Sequence, residues 1–90
     1  MALIWDEAKR EWTLRHRGLD FADAETVFLG DHFDRLDDRQ EYGEPRFITA
    51  GWLRECFVVL VWTARGNDRR IISMRFGHAR EEKRYKESLG

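Results

Sequence analysis

The sequence predicts an α+β fold in one small domain: a short N-terminal strand, two helices, an antiparallel meander of three or four strands, and a C-terminal helix. Three observations predict it. Two early segments are bracketed by helix start and stop residues, Asp6 with Gly18 and Asp20 with Gly30. Three later runs, Arg46–Leu53, Glu55–Thr63 and Arg69–Phe76, are rich in branched and aromatic residues and are separated by turn formers. After Gly77 the composition of His78–Leu89 is helical again. Helices grouped around a meander place most of the helices on one face of the sheet.

The elements follow in order. Leu3, Ile4 and Trp5 make a short first strand at the sheet edge. Asp6 caps a helix over Glu7–Arg17, and the acidic pair Asp6–Glu7 suits its positive end. Ala8 and Trp12 share a face of it, and Gly18 is the left-handed residue that stops it. Asp20 starts a second helix, with Asp23 at the capping-box position and Phe21, Ala24, Val27 and Phe28 as its apolar stripe. Asp31–Glu44 is polar; Phe33 and Leu36 anchor a short, irregular strand there, followed by turns at Asp37-Asp38-Arg39 and Tyr42–Pro45. Strands 46–53 and 55–63 pair as a hairpin, and the apolar run Phe57–Trp62 marks the most buried strand. Arg65-Gly66-Asn67-Asp68 turns the chain into strand 69–76. Period-two alternation gives that strand a core face of Ile72, Met74 and Phe76 and an opposite face of Ile71, Ser73 and Arg75. An unpaired buried cation is costly, so Arg75 is expected on the sheet face that no helix covers.

Ninety residues suffice for one core without covalent staples, and with no repeat or linker residues 1–90 read as a single domain. The hydrophobic content of 42%, with Trp at 5, 12, 52 and 62, argues against disorder. No apolar run has the length of a membrane helix, and MALIWDEAKR lacks the basic-then-apolar pattern of a secretory signal. Cys56 is alone, which removes an intramolecular disulfide or a thiolate zinc site, and the simplest location is cytoplasmic. The net charge of −1 is uneven. Arg65, Arg69, Arg70, Arg75, Arg80, Lys83, Arg84 and Lys86 face only Asp68, Glu81 and Glu82 in the same stretch. Such a basic third fits nucleic acid, or else a solvated helix laced with pairs such as Glu82–Lys86.

Several short blocks recur in one known family. They are Trp5-Asp6, Gly18 with Asp20-Phe21, Ala24 and Phe28, Glu44-x-Arg46, Gly51, Thr63-x-Arg65, and above all Arg70-Ile71-Ile72-Ser73-x-Arg75, followed on the helix by Glu81 and Tyr85. On these residues nearly the whole chain resembles the BrnT family of bacterial toxins, partner of the BrnA antitoxin. The resemblance implies a RelE-like fold and ribonuclease activity that inhibits translation. It also implies a hetero-oligomer with a ribbon-helix-helix antitoxin, and DNA contact only through that antitoxin. His16-Arg17-Gly18 stands where the family usually has Lys-His-Gly, and Met74 and Phe76-Gly77 where it favours Ala and Lys-Ala. These departures keep a second reading open, a non-catalytic module that holds the antitoxin and tunes repression of a shared operon.

The residues themselves favour chemistry without metal or cofactor. No His-Glu-x-x-His is present, and Asp34, Asp37 and Asp38 lie in the irregular stretch. Neither Ser73 nor Cys56 has an activating base at a motif spacing. Metal-free RNA cleavage needs a base for the 2′-OH, cations for the phosphorane oxygens and an acid for the leaving oxygen. Arg75 is the first candidate, as phosphate clamp or as a partner of Glu81 or Glu82. Arg65 is the second cation or a solvated turn residue; Arg46 is a third, or pairs with Glu44. His78 is an acid–base candidate or an exposed helix-start residue. Tyr85, on the same helix face as His78, is a proton donor, a stacking ring or a core anchor. Glu81 orients His78 or acts as base. Lys9 and His16 form a cationic edge on the first helix, and Arg80 and Lys83 suit an RNA backbone or an acidic antitoxin segment.

Overall fold

The computed structural model describes residues 1–89. Five strands make one sheet: β1 (Leu3–Trp5), β2 (His32–Leu36), β3 (Phe47–Leu53), β4 (Cys56–Arg65) and β5 (Asp68–Phe76). Their order is β1-β5-β4-β3-β2. β2 to β5 each pair antiparallel with the next in sequence, whereas β1 pairs parallel with β5, Leu3 opposite Arg69. The sheet is therefore mixed and five-stranded, four antiparallel strands with the N-terminal strand added in parallel at one edge. The helices are α1 (Glu7–Arg17), α2 (Ala24–Leu29) and α3 (Ala79–Leu89). The stretch expected as one second helix is split: a 3-10 turn over Phe21–Asp23 precedes the six residues of α2.

Local chemistry explains the helix boundaries. Asp6 accepts a hydrogen bond from the Ala8 N–H, and Gly18 at φ 73° closes α1 by donating to the Leu14 carbonyl. The Asp20 carboxylate accepts from the Ala22 N–H and also holds Arg10 at 2.8 Å. α1 departs from expectation on its faces: only Thr13 is buried, and Trp12 and Leu14 are exposed.

The sheet is covered on both sides. Leu19, Phe21, Ala24 and Val27 pack on one face against Leu53, Val58, Leu60, Trp62, Ile71 and Met74. The opposite face carries Ile48, Ala50, Phe57 and Val59, with Trp52, Val61 and Tyr85 packed against them. Tyr85 comes from α3, so that helix crosses to the second face, while the 3-10 turn and α2 stay on the first. Gly77 permits the crossing. A Cβ there would lie 2.2 Å from Phe57 Cδ2, and the Gly77 N–H donates to the Phe57 carbonyl.

A β-bulge changes β5. Val61 pairs with Ser73 but Trp62 with Ile71, which leaves Ile72 as the extra residue. Alternation resets there. Ile71 and Met74, three apart, both enter the first core, while Phe76 is 47% exposed. The expected core face of Ile72, Met74 and Phe76 is thus replaced by Ile71 and Met74.

The β3–β4 hairpin turns on Arg54 and Glu55, both at positive φ (47° and 70°), in a tight turn built without glycine.

Candidate functional site

Two clusters of arginine and carboxylate mark the second face of the sheet, one at each end. At the first, Arg75 pairs with Val59 in the β5–β4 ladder and projects beside the aromatic cluster under α3. Its two terminal nitrogens donate to both oxygens of Glu81, each at 3.0 Å, and Nη1 also donates to the Phe76 carbonyl at 3.2 Å. Arg75 thus lies on a face that α3 partly covers, not on an uncovered one. Glu81 has a second task. Its Oε1 accepts the His78 N–H at 2.9 Å, half of a capping box at the start of α3. Arg75 first, and then this N–H, hold the Glu81 carboxyl down at about 2. A carboxylate so stabilised is a weak base and a strong anchor.

His78 is exposed and sits at the foot of α3 beside this pair. Tyr85 is half-buried, its ring 5.6 Å from Phe57 and 5.2 Å from Phe33. It belongs to the apolar cluster on the second face, with Val59, the ladder partner of Arg75. One turn earlier, Glu82 accepts from the Trp52 indole at 2.7 Å and pairs with Lys86 at 3.4 Å. Arg75, Glu81, His78 and Tyr85 are therefore brought together.

Arg65 is not with them. Arg75 lies opposite Val59, and Arg65 stands six residues further along β4, about 20 Å away at the rise of a strand. Its guanidinium forks onto Glu44, through Nη1 to Oε2 and Nη2 to Oε1. Glu44 is held below the usual carboxylate range by Arg65, with weaker help from Arg46 and Arg70. Glu44 is thus the partner of Arg65, correcting the expected Glu44–Arg46 pair. Arg46 instead lies over the Tyr42 ring at 4.1 Å.

Lys9 and His16 belong to a third place. α1 runs beside β5, where Arg17 donates to the Met74 carbonyl beyond the end of β1. There Lys9, Trp12, Thr13, Arg17, Ile72 and Ser73 line a cavity of about 260 Å³. The His16 ring stacks on Trp12 with centroids 4.6 Å apart and 20° between planes. Arg80 and Lys83 are exposed on α3.

Two residues of this face were not singled out from sequence as site residues. Arg70 pairs with Thr63 and, because of the bulge at Ile72, shares the face of Ser73 and Arg75. Strict alternation puts Arg70 on the other side; its place in the Arg70–Arg75 block was the available signal. Arg39 lies near enough to Arg75 to oppose its charge. It is held by the buried Asp37 at 2.7 and 2.8 Å, in a segment read only as a turn. Among the described residues no three His, Cys, Asp or Glu side chains converge to hold a metal ion. No helix there is long and apolar enough to cross a membrane.

A family model described as "Ribonuclease toxin, BrnT, of type II toxin-antitoxin system" matches residues 5–81. No curated protein matches the chain.

Proposed function

The chain belongs to the BrnT family of ribonuclease toxins of type II toxin–antitoxin systems, and on that premise we propose that it cleaves RNA without a metal ion on the sheet face that carries Arg70, Ser73 and Arg75. The observation that carries this reading is the bulge at Ile72, which puts those three side chains on one face, with Arg75 beside the foot of α3. In the proposed reaction the 2′-oxygen attacks the adjacent phosphorus and the bond to the 5′-oxygen breaks. A base removes the 2′-OH proton, and an acid protonates the departing oxygen. Arg75 holds the non-bridging oxygens as negative charge grows on them, through the N–H donors that its pair with Glu81 does not use. Glu81, with both oxygens engaged, positions Arg75 rather than taking the proton. His78 and Tyr85 are the proton carriers. Arg65, Arg46 and Arg70 bind the strand further along the face, and Lys9, His16, Arg80 and Lys83 bind its flanks.

The proposed setting is the cytoplasm, where cleavage inhibits translation and a ribbon-helix-helix antitoxin neutralises the toxin and carries it to DNA. The test is induced expression of the wild type beside Arg75→Ala. Growth arrest and RNA cleavage by the wild type alone, with cleavage by the purified protein unchanged by EDTA, are the expected results. Equal toxicity of a folded Arg75→Ala variant removes Arg75 from the chemistry.

One observation favours a second reading, a non-catalytic antitoxin-binding module. Both Arg75 and Arg65 have their forks closed by the chain's own carboxylates, Glu81 and Glu44. A soluble, folded wild type that neither arrests growth nor cuts RNA selects it.

A further inference from the structure

We propose that the Trp12–His16 stack on α1 is a platform for a nucleobase of single-stranded RNA. The inference rests on the ribonuclease reading and adds a binding site to it. Trp12 is 50% exposed although it belongs to the residue type with most to gain from burial. It is nevertheless held in a defined pose. The His16 Nδ1 lies 2.9 Å from the Trp12 carbonyl, which fixes the imidazole against the indole. The Arg17 guanidinium sits 5.2 Å from the indole centroid and is itself tied to the Met74 carbonyl. Two flat rings are thus pre-stacked in water, at no further ordering cost to a flat ligand.

The surroundings select a base attached to a phosphate. The cavity beside Trp12 is bounded by Lys9 and Arg17 and by the Ser73 side of β5. Lys9 makes no ion pair among the described residues. Rings rimmed by cations complement a nucleotide, whose base stacks while its phosphate meets the ammonium or guanidinium. A hydroxyl at Ser73 can meet the base edge or the ribose. The position fits the proposed reaction as well. Ser73 and Arg75 are two residues apart on one strand, about 7 Å, so a nucleotide neighbouring the phosphate at Arg75 reaches the cavity. The bulge residue Ile72 also lines the cavity, and Ser73 is shared between the cavity and the proposed reaction face.

The test is binding of a short single-stranded RNA made entirely with 2′-O-methyl groups, which cannot be cut. Its affinity is measured by anisotropy for the wild type, Trp12→Ala and Trp12→Phe, on the probe and on versions with one abasic position moved along it. Trp12→Ala is expected to weaken binding about five- to a hundredfold, the range of one stacked base, and Trp12→Phe to keep most of the affinity. One abasic position should weaken the wild type to the level of Trp12→Ala and leave Trp12→Ala unchanged. Trp12 is exposed, so its replacement does not threaten the fold. Wild-type binding that Trp12→Ala and every abasic position leave intact overturns the platform and leaves the ribonuclease reading standing. A wild type that neither binds the probe nor cleaves unmodified RNA overturns both. If Trp12→Ala keeps RNA affinity but no longer co-purifies with the antitoxin, the stack is a protein contact and the platform is likewise overturned.

Discussion

Glu81 joins two elements through one carboxylate: it receives both terminal nitrogens of Arg75 from β5 and the His78 N–H at the start of α3. Two roles, base or positioning partner, lead to different outcomes for Glu81→Gln. Since the paired carboxylate is a weak base, Glu81→Gln should keep cleavage within about tenfold of wild type, while Arg75→Ala loses about a hundredfold or more. Single-turnover cleavage of an RNA oligonucleotide measures both; an equal loss in the two variants makes Glu81 the base. The Arg75–Glu81 pair was legible as one of two fates of Arg75, because six residues of strand end and helix start bring the two close. Glu44–Arg65 was not. The nearer Arg46 competes in the sequence, and only the β3–β4 pairing shows that Arg65 arrives over Glu44 while Arg46 goes to Tyr42.

Among the elements, the β4–β5 hairpin and the caps of α1 were readable because turn formers and capping acids act locally. The β3–β4 hairpin was legible, but its turn falls on Arg54 and Glu55, so Glu55 opens the turn's second half and not the next strand, and its composition hides its geometry. Arg54 and Glu55 occupy left-handed backbone that costs about 1–2 kcal/mol for a residue with a side chain. Glycine at position 55 removes that cost but adds unfolded-chain entropy. Glu55→Gly is therefore expected to stabilise the fold by about 0.5–1 kcal/mol, with a rise in Tm of a few degrees by calorimetry. No change or a fall would mean that Glu55 is relaxed in this turn. The bulge at Ile72 was not legible at all. An extra isoleucine in a strand looks like any other, so alternation carried Phe76 into the core and Arg70 off the face of Ser73 and Arg75. The crossing of α3 to the second face was equally hidden, although Gly77 marked the place where it happens.

At the scale of the molecule, charge dominates the periphery and several carboxylates are more acidic folded than free. Glu81 is lowered to about 2 by Arg75, and Asp37, Asp20 and Glu44 are lowered by Arg39, Arg10 and Arg65. Groups with depressed values stabilise the fold above their unfolded pKa, near 4 to 4.5, and lose that contribution as pH falls through the folded values. Urea midpoints should therefore be level from pH 7 to about 5 and decline towards pH 2.5, with a smaller decline for Glu81→Gln. A flat profile would show that these pairs contribute nothing to stability. The same whole-chain view gives β1 a temporal meaning. Leu3–Trp5 pair with Arg69–Ile71, a strand that follows them by more than sixty residues. Contacts so distant in sequence form late and slowly. The arginines of β5 and the helix that anchors Arg75 belong to that same late-pairing stretch. The sheet edge and the Arg75–Glu81 pair are completed together, so a chain that stops before β5 has neither.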